Sequence, residues 1–366
     1  MRRRSSPAPN GSSTVAGQFG SPALSARKPK IGTTMRILIT GITGRVGSTL
    51  APMLIDRGHR VRGMVRSRSA IAARRIPEAV DLHESSLSDS DGIAKAVSGV
   101  DAVVHLAAQI VMGDTLTADY FDTNVMGTLR LLEAVAIQKN NVHFVYASTD
   151  NTYGPGEVKA NPVDETHEQI PGDYYGTSKV LSEHLVRNYQ KIHGFDYTIL
   201  RYGSVITPDE AAHLYRLDWA KAFLQAQLDA GKRSNLARLF EPHSDAVEKS
   251  LKDSFWQQPG NPAVILDGPG GSPWSIHLTD VRDAAQGTVL AIENEQARNE
   301  SFNVVGPRST SFSEGAKNIA AQFEVGTVST ELPMTLAFEL STAKARRLLG
   351  YRPTYDFAAS LVSRAR

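Results

Sequence analysis

The chain has 366 residues, 41% hydrophobic and 21% charged, a soluble globular mix with length for one large core or two joined lobes. It has no cysteine, which excludes disulfides, thiolate metal sites and cysteine nucleophiles and fits a reducing, cytoplasmic setting. The formal charge of +2 misleads, because Arg2, Arg3, Arg4, Arg27, Lys28 and Lys30 stand in residues 1–34 without a single acid. With those six set aside from the 40 Lys and Arg, the 38 acidic residues are in slight excess, and the body offers no basic footprint for nucleic acid. Residues 1–34 are rich in Ser, Pro, Gly and Ala and read as a disordered basic tail. Their composition also suits an organelle transit peptide, but the basic residues cluster without an amphipathic pattern, so a plain tail is the simpler reading. No apolar run reaches the length of a membrane span.

From Met35 short apolar runs alternate with helical segments, the pattern of a parallel sheet with crossover helices. Arg36-Ile-Leu-Ile-Thr40 is the first expected strand. The turn Gly41-Ile-Thr-Gly44-Arg-Val-Gly47 follows, then a helix from about Val46 to Arg57, which Gly58 stops. Strands are expected over Val61–Val65, more weakly over Ala79–His83, and strongly over Asp101–Leu106. An apolar-striped helix is expected over Asn124–Ile137, a fifth strand over Val142–Ala147, a helix over Tyr174–Ile192 and a sixth strand over Tyr197–Arg201. Residues 208–260 change texture, with helices at Leu217–Ala230 and Ala246–Phe255, many charges and no strand signal. Val264–Leu266 and Phe302–Val305 read as strands again, and Ser309–Arg366 as helices with turns. The predicted class is α/β, a doubly wound parallel (Rossmann) sheet over residues 35–205 that 274–306 rejoin. A smaller substrate lobe is expected from residues 206–273 and 307–366.

The three glycines follow a strand and open a helix. In that context the first allows the tight turn, the second admits a dinucleotide pyrophosphate and the third lets the helix pack closely. Thr43, Arg45 and Val46 join Gly41, Gly44 and Gly47 as candidate cofactor contacts. A fold of this kind that prefers NAD usually ends its second strand on an acid for the ribose 2′-hydroxyl. Here Val65 stands there, followed by Arg66, with Arg68 near. A guanidinium suits a 2′-phosphate by charge and fork geometry, so NADP(H) is predicted over NAD(H). Tyr175 and Lys179 lie four apart on one helical face, a spacing at which an ammonium can favour a phenolate near neutral pH. Together these features predict hydride transfer on a hydroxyl or carbonyl substrate.

The ordered set Thr40-Gly-Ile-Thr-Gly-Arg-Val-Gly47, His105-Leu-Ala-Ala108, Asn124-Val-Met-Gly-Thr128, Ala147-Ser-Thr-Asp-Asn-Thr-Tyr-Gly154 and Tyr175-Gly-Thr-Ser-Lys179 resembles the extended short-chain dehydrogenase/reductase family, in its NAD(P)-dependent epimerase/dehydratase branch. The resemblance covers roughly residues 35–306. It implies that Tyr175 is the catalytic acid/base, that Lys179 bonds the nicotinamide ribose, and that the Thr149 hydroxyl bonds the reacting oxygen, with Ser148 as its neighbouring substitute. Asn124 would order the helix near the site and contact the cofactor, which Leu106, Ala107 and Ala108 would line. Asp150 is similar to the acid of sugar-nucleotide 4,6-dehydratases, but Asn151 stands where their glutamate base belongs, and an amide does not abstract a proton. Ser148, Thr149, Asp150 and Tyr175 are the implied substrate contacts. The cysteine used by family members that invert carbons beside a ketone has no counterpart.

Nucleotide-sugar members usually carry an arginine where Pro273 stands, seven residues before Asp280, which leaves Arg201 and Arg308 as possible anion partners. The leading expectation is oxidation or reduction of a sugar, sugar acid or related hydroxy/keto compound. A nucleotide-sugar 4-epimerase with tightly held NAD is the second, and a non-catalytic dinucleotide sensor the third. The resemblance also implies a homodimer through the helices at 124–137 and 174–192. No metal, nucleic-acid or membrane partner is expected.

Overall fold

Ile37, Leu38 and Ile39 have no exposed surface, as an unbroken apolar run demands of a central parallel strand covered on both faces. They form β1 (Arg36–Thr40). The computed structural model describes residues 34–68, 76–110, 115–156 and 158–364; the expected tail over 1–34 lies, except for Thr34, outside the described residues. After β1 come α1 (Arg45–Asp56), β2 (Arg60–Val65), β3 (Asp81–Glu84), α2 (Ser90–Val97) and β4 (Ala102–His105). Next, α3 (Thr117–Tyr120) runs through a π-helical turn (Phe121–Met126) into α4 (Gly127–Ala136). Then follow β5 (His143–Thr149), α5 (Tyr174–His193) and β6 (Tyr197–Tyr202).

The strand Glu300–Val304 completes a seven-stranded sheet in the order Glu300–Val304, β6, β5, β4, β1, β2, β3. Every pairing in it is parallel. The direction of winding reverses between β1 and β4, and such a switch point leaves a ligand crevice beyond the strands' carboxyl ends. The α/β doubly wound class expected from the sequence is the observed one.

On one sheet face Ile39, Val104 and Phe302 pack with Leu50 and Leu54 of α1 and with Val289 of the helix Val281–Glu293. On the other, Leu38, Val103 and Phe144 pack with Ile93 of α2, Leu131 of α4 and Val186 of α5. A third apolar cluster, with Tyr215, Leu224, Trp274, Phe312 and Leu361, forms the smaller lobe. The chain's final helices divide between these cores. Ala345 and Leu349 of the helix Ala343–Leu349 join the sheet core, whereas Phe357 and Leu361 of the helix Phe357–Ser363 join the lobe. Between them the Asp283 carboxylate accepts the Thr354 and Tyr355 amides at 3.0 and 2.9 Å.

Two local expectations change. The helix expected over Asn124–Ile137 is interrupted by the π turn. The Asn124 carbonyl oxygen accepts the hydroxyls of Thr128 at 2.5 Å and Ser182 at 3.0 Å, which compete with the regular amide for it, and a wider turn accommodates them. The segment expected to be helical after Ser309 also holds the strand Thr327–Glu331, parallel to Ala263–Gly268. That strand alternates between exposed and half-buried residues, so it lacks an apolar signature.

Candidate active site

Gly41 leaves β1 with φ of 71°, and a Cβ there would stand 2.7 Å from the Ala107 amide nitrogen. Only glycine lets this turn lie against the backbone leaving β4. Gly47 packs α1 onto the same turn, where a Cβ would overlap the Gly41 carbonyl oxygen. Gly44 caps α1 without a side chain, and the helix has no acid in its first turn. Its leading amides are therefore left for an anion, and the cradle fits a dinucleotide pyrophosphate. Across the crevice the Leu106 amide donates to the Thr40 carbonyl at 3.2 Å and the Ala107 amide to the Thr40 hydroxyl at 3.3 Å, with Ala108 following. Thr43 and Val46 are half-buried in the turn.

Arg45 is committed elsewhere. Its Nε donates to Glu210 Oε1 at 2.8 Å, which ties the glycine turn to the lobe rather than freeing this cation for a cofactor. Arg66 is exposed just past β2. The Arg68 guanidinium donates to the Leu82 carbonyl at 2.9 Å, and its amide to Glu84 Oε2 at 3.2 Å.

Two strands from the glycine turn, the carboxyl end of β5 meets the first turn of α5. A Cβ on Gly176 would lie 2.7 Å from the Asn151 carbonyl oxygen. Asp173 caps α5, its Oδ1 accepting the Gly176 amide at 2.6 Å. Thr149 ends β5, and its hydroxyl donates to Asp150 Oδ1 at 3.0 Å. Tyr175 is half-buried and Lys179 buried one turn beyond it. The Lys179 ammonium lies over the buried Tyr146 ring, 4.3 Å from its centroid.

The electrostatics correct one expectation. Burial raises the Tyr175 phenol above its ordinary range, and the Asp150 and Asp173 carboxylates raise it further, while the Thr149 hydroxyl pulls it down. Lys179 is itself pulled down to about 7 by burial, with Glu183 acting the other way. In the protein alone the phenol is thus held protonated and is not the acidic group its spacing from Lys179 predicts. Burial of Lys179 and partial burial of Tyr175 decide the titration, and their spacing along the helix does not. Burial also pushes Asp150 and Asp173 up to about 6. His105, bonded to Thr40 at 2.7 Å and Thr128 at 3.0 Å, is forced down to about 3 by burial and then by the Lys179 charge. It is a neutral strut below the site.

Other candidates find different partners. The Ser148 hydroxyl donates to Glu183 Oε1 at 2.6 Å, so it is committed to a buried carboxylate instead of a substrate. Asn124 bonds Ser178 at 2.8 Å and the Gln109 backbone at 2.8 and 3.0 Å. It orders the loop after β4 against α5, and its side-chain bonds are spent on that role instead of a cofactor contact. Arg201 gives Nε and Nη2 to Glu183 at 3.0 and 2.8 Å. Arg308 pairs with Glu314 at 2.6 Å and Asp356 at 3.0 Å. Neither arginine is free for an anion.

Three residues around the site are absent from the sequence reading. Asp173 had a legible signal, an aspartate just before a helix with its capping partner three residues on. Glu183 had one too, four residues past Lys179 on the same face. Asn235, whose Nδ2 donates to Asn151 Oδ1 at 3.0 Å, lies in the block at 208–260 and had none.

Comparison with known proteins agrees with this geometry. The profile of the NAD dependent epimerase/dehydratase family matches residues 37–236. A UDP-glucose 4-epimerase of Streptococcus mutans is 26% identical over 345 residues, 90% of this chain and 96% of the relative. A GDP-mannose 4,6 dehydratase of Homo sapiens is 35% identical over 171 residues, which is 42% of this chain and only 45% of that protein. Among solved structures, a short-chain dehydrogenase/reductase superfamily protein of Agrobacterium tumefaciens with bound NAD superposes with a TM-score of 0.75 at 26% identity. That match covers 90% of this chain and 96% of the other.

Proposed function

Because the chain belongs to the NAD dependent epimerase/dehydratase family, we propose that it moves a hydride between a nicotinamide dinucleotide and a sugar, sugar acid or related hydroxy/keto compound, with Tyr175 as acid/base. The observation that carries this is the Thr149 hydroxyl at the Tyr175 phenol, where the carboxyl end of β5 meets α5, with Lys179 one helical turn on and the glycine cradle at the same end of the sheet. When bound, the nicotinamide supplies the carbon that gives or takes the hydride. Thr149 holds the reacting oxygen, and Tyr175 exchanges a proton with it. A phenol held protonated is in the state that carbonyl reduction uses. Lys179 orients the ribose and places its charge beside the phenol as negative charge develops. The cofactor falls to residues 35–205 with 274–306, and the substrate to the lobe of 206–273 and 307–366.

Arg66, exposed where an acid would favour NAD, supports NADP(H) as the preferred cofactor. NADPH is expected to bind about tenfold tighter than NADH in a fluorescence titration, and Arg66→Ala to erase the difference. Equal or tighter NADH binding by the wild type overturns the preference. A screen of sugar and sugar-acid substrates with the favoured cofactor then tests the reaction.

The similarity to a 4-epimerase along nearly its whole length favours a second reading, interconversion of a nucleotide sugar with retained NAD. Such an enzyme purifies with its cofactor and converts UDP-glucose without added reductant, whereas a reductase consumes NADPH in step with product. The engagement of Arg201 and Arg308 in ion pairs weighs for the smaller substrate.

Met126, Ile137, Leu181 and Ile192 are exposed in the π turn and along α4 and α5, which supports a homodimer through these helices. Light scattering is expected to give twice the chain mass, falling to one for Leu181→Glu; a monomeric wild type removes the dimer. No helix among the described residues is long and apolar enough to cross a membrane. With no cysteine in the chain, we place it in the cytoplasm, which cell fractionation tests.

A further inference from the structure

The block at 208–260 reaches the catalytic loop through residues 234–236. Leu236 is anchored in the lobe core, and the Ser234 hydroxyl donates to Gln227 at 2.5 Å on the helix Leu217–Ala230. From this anchored turn, Asn235 Nδ2 donates to Asn151 Oδ1 at 3.0 Å. Asn151 Nδ2 donates in turn to Asp173 Oδ2 at 3.4 Å. Asp173 Oδ1 accepts the Gly176 amide at 2.6 Å, next to Tyr175. The polarity of the relay is set from its Asp173 end. An ionised carboxylate only accepts, so Asn151 turns its NH₂ to Asp173 and is left with an oxygen that needs a donor. Asn235 supplies it. The backbones are shaped for the contact as well. A Cβ on Gly172 would stand 2.8 Å from the Asn235 carbonyl oxygen, and one on Gly156 would stand 3.3 Å from Leu236 Cα.

We propose that Asn235 is a positioning residue for proton transfer, acting through Asn151 and Asp173 on the turn of α5 that carries Tyr175. The inference rests on Tyr175 being the acid/base. Asn151 is then a joint between lobe and site. Because the donor comes from the block at 208–260, the lobe that would hold the substrate also sets the register of the phenol against it.

Asn235→Asp keeps the side chain's volume but replaces the donor with a charged acceptor, and Asn235→Ala removes both volume and donor. In the full-length protein, both variants are expected to speed hydrogen exchange of the amides of residues 173–178 about tenfold, with the β1 amides unchanged. With NADP⁺ plus D-glucuronate, and with UDP-glucose, both are expected to lower kcat about tenfold at unchanged KM. Wild-type behaviour of Asn235→Asp beside an impaired Asn235→Ala would reduce the contact to packing and overturn the proposal. Exchange that rises equally in β1, or in neither variant, overturns it too. A wild type that turns over neither probe counts against the substrate reading alone, because the exchange measurement is made without substrate.

Discussion

Tyr175→Phe is expected to lower turnover by about 10²–10⁴-fold while NADPH affinity stays within about twofold. Phenylalanine keeps the half-buried ring and its packing and removes only the group that exchanges a proton. In the proposed reaction Thr149 still holds the reacting oxygen, and its own hydroxyl leans on Asp150 at 3.0 Å. Burial keeps that carboxyl protonated up to about 6, so it would be the acid left beside a substrate bound there. The residual rate of the mutant should therefore fall as pH rises through about 6, as Asp150 loses its proton. Asp150→Asn in the same background should flatten that fall. A Tyr175→Phe enzyme that keeps more than about a tenth of wild-type turnover would take the phenol out of the proposed role.

Arg201→Met carries the largest expected cost in stability, about 3–5 kcal/mol by denaturant unfolding. Glu183 is fully buried and takes two bonds from Arg201 and one each from Arg187 at 2.8 Å, Gln169 at 3.1 Å and Ser148. Burial would raise this carboxyl, yet Arg201 and then Arg187 and Ser148 hold it down to about 2. Its folded-state value is depressed, so the stability it contributes is present above the ordinary carboxylate range and is lost as pH falls toward 2. The gap between mutant and wild type should narrow over that fall. Arg201→Met with Glu183→Gln should recover part of the loss, because no lone charge stays buried. A single-mutant cost below about 1 kcal/mol would mean that Glu183 finds water or another cation once Arg201 is gone.

Much of this was legible in the residues. Arg36–Thr40 and Leu217–Ala230 form the expected elements to the residue, the first from its unbroken apolar run and the second from its helical apolar spacing. The glycine cradle was legible as well, since each glycine answers a local need for a tight turn or close approach. What escaped was decided by tertiary surroundings. The Tyr175–Lys179 spacing says that two groups share a face, but not that both leave water, and burial reverses the expected titration. Ser148 and Thr149 are neighbours with similar hydroxyls, and only the position of Glu183 on α5 separates a structural hydroxyl from a site one. Arg45 as a cofactor contact and Arg201 and Arg308 as possible anion partners follow from a sequence in which the acids that hold them lie 165, 18 and 6 residues away. No periodicity links residues so placed, nor those of the block at 208–260 that carries Asn235.

The last helices bear on how this molecule can move. One is sunk in the sheet's core and the next in the lobe's, and the few residues joining them are pinned by Asp283. A clamshell rotation of one body against the other would strain that seam. Chemical or thermal melting should accordingly pass through one shared transition, since neither core can dissolve while its neighbour keeps hold of the same strip of chain.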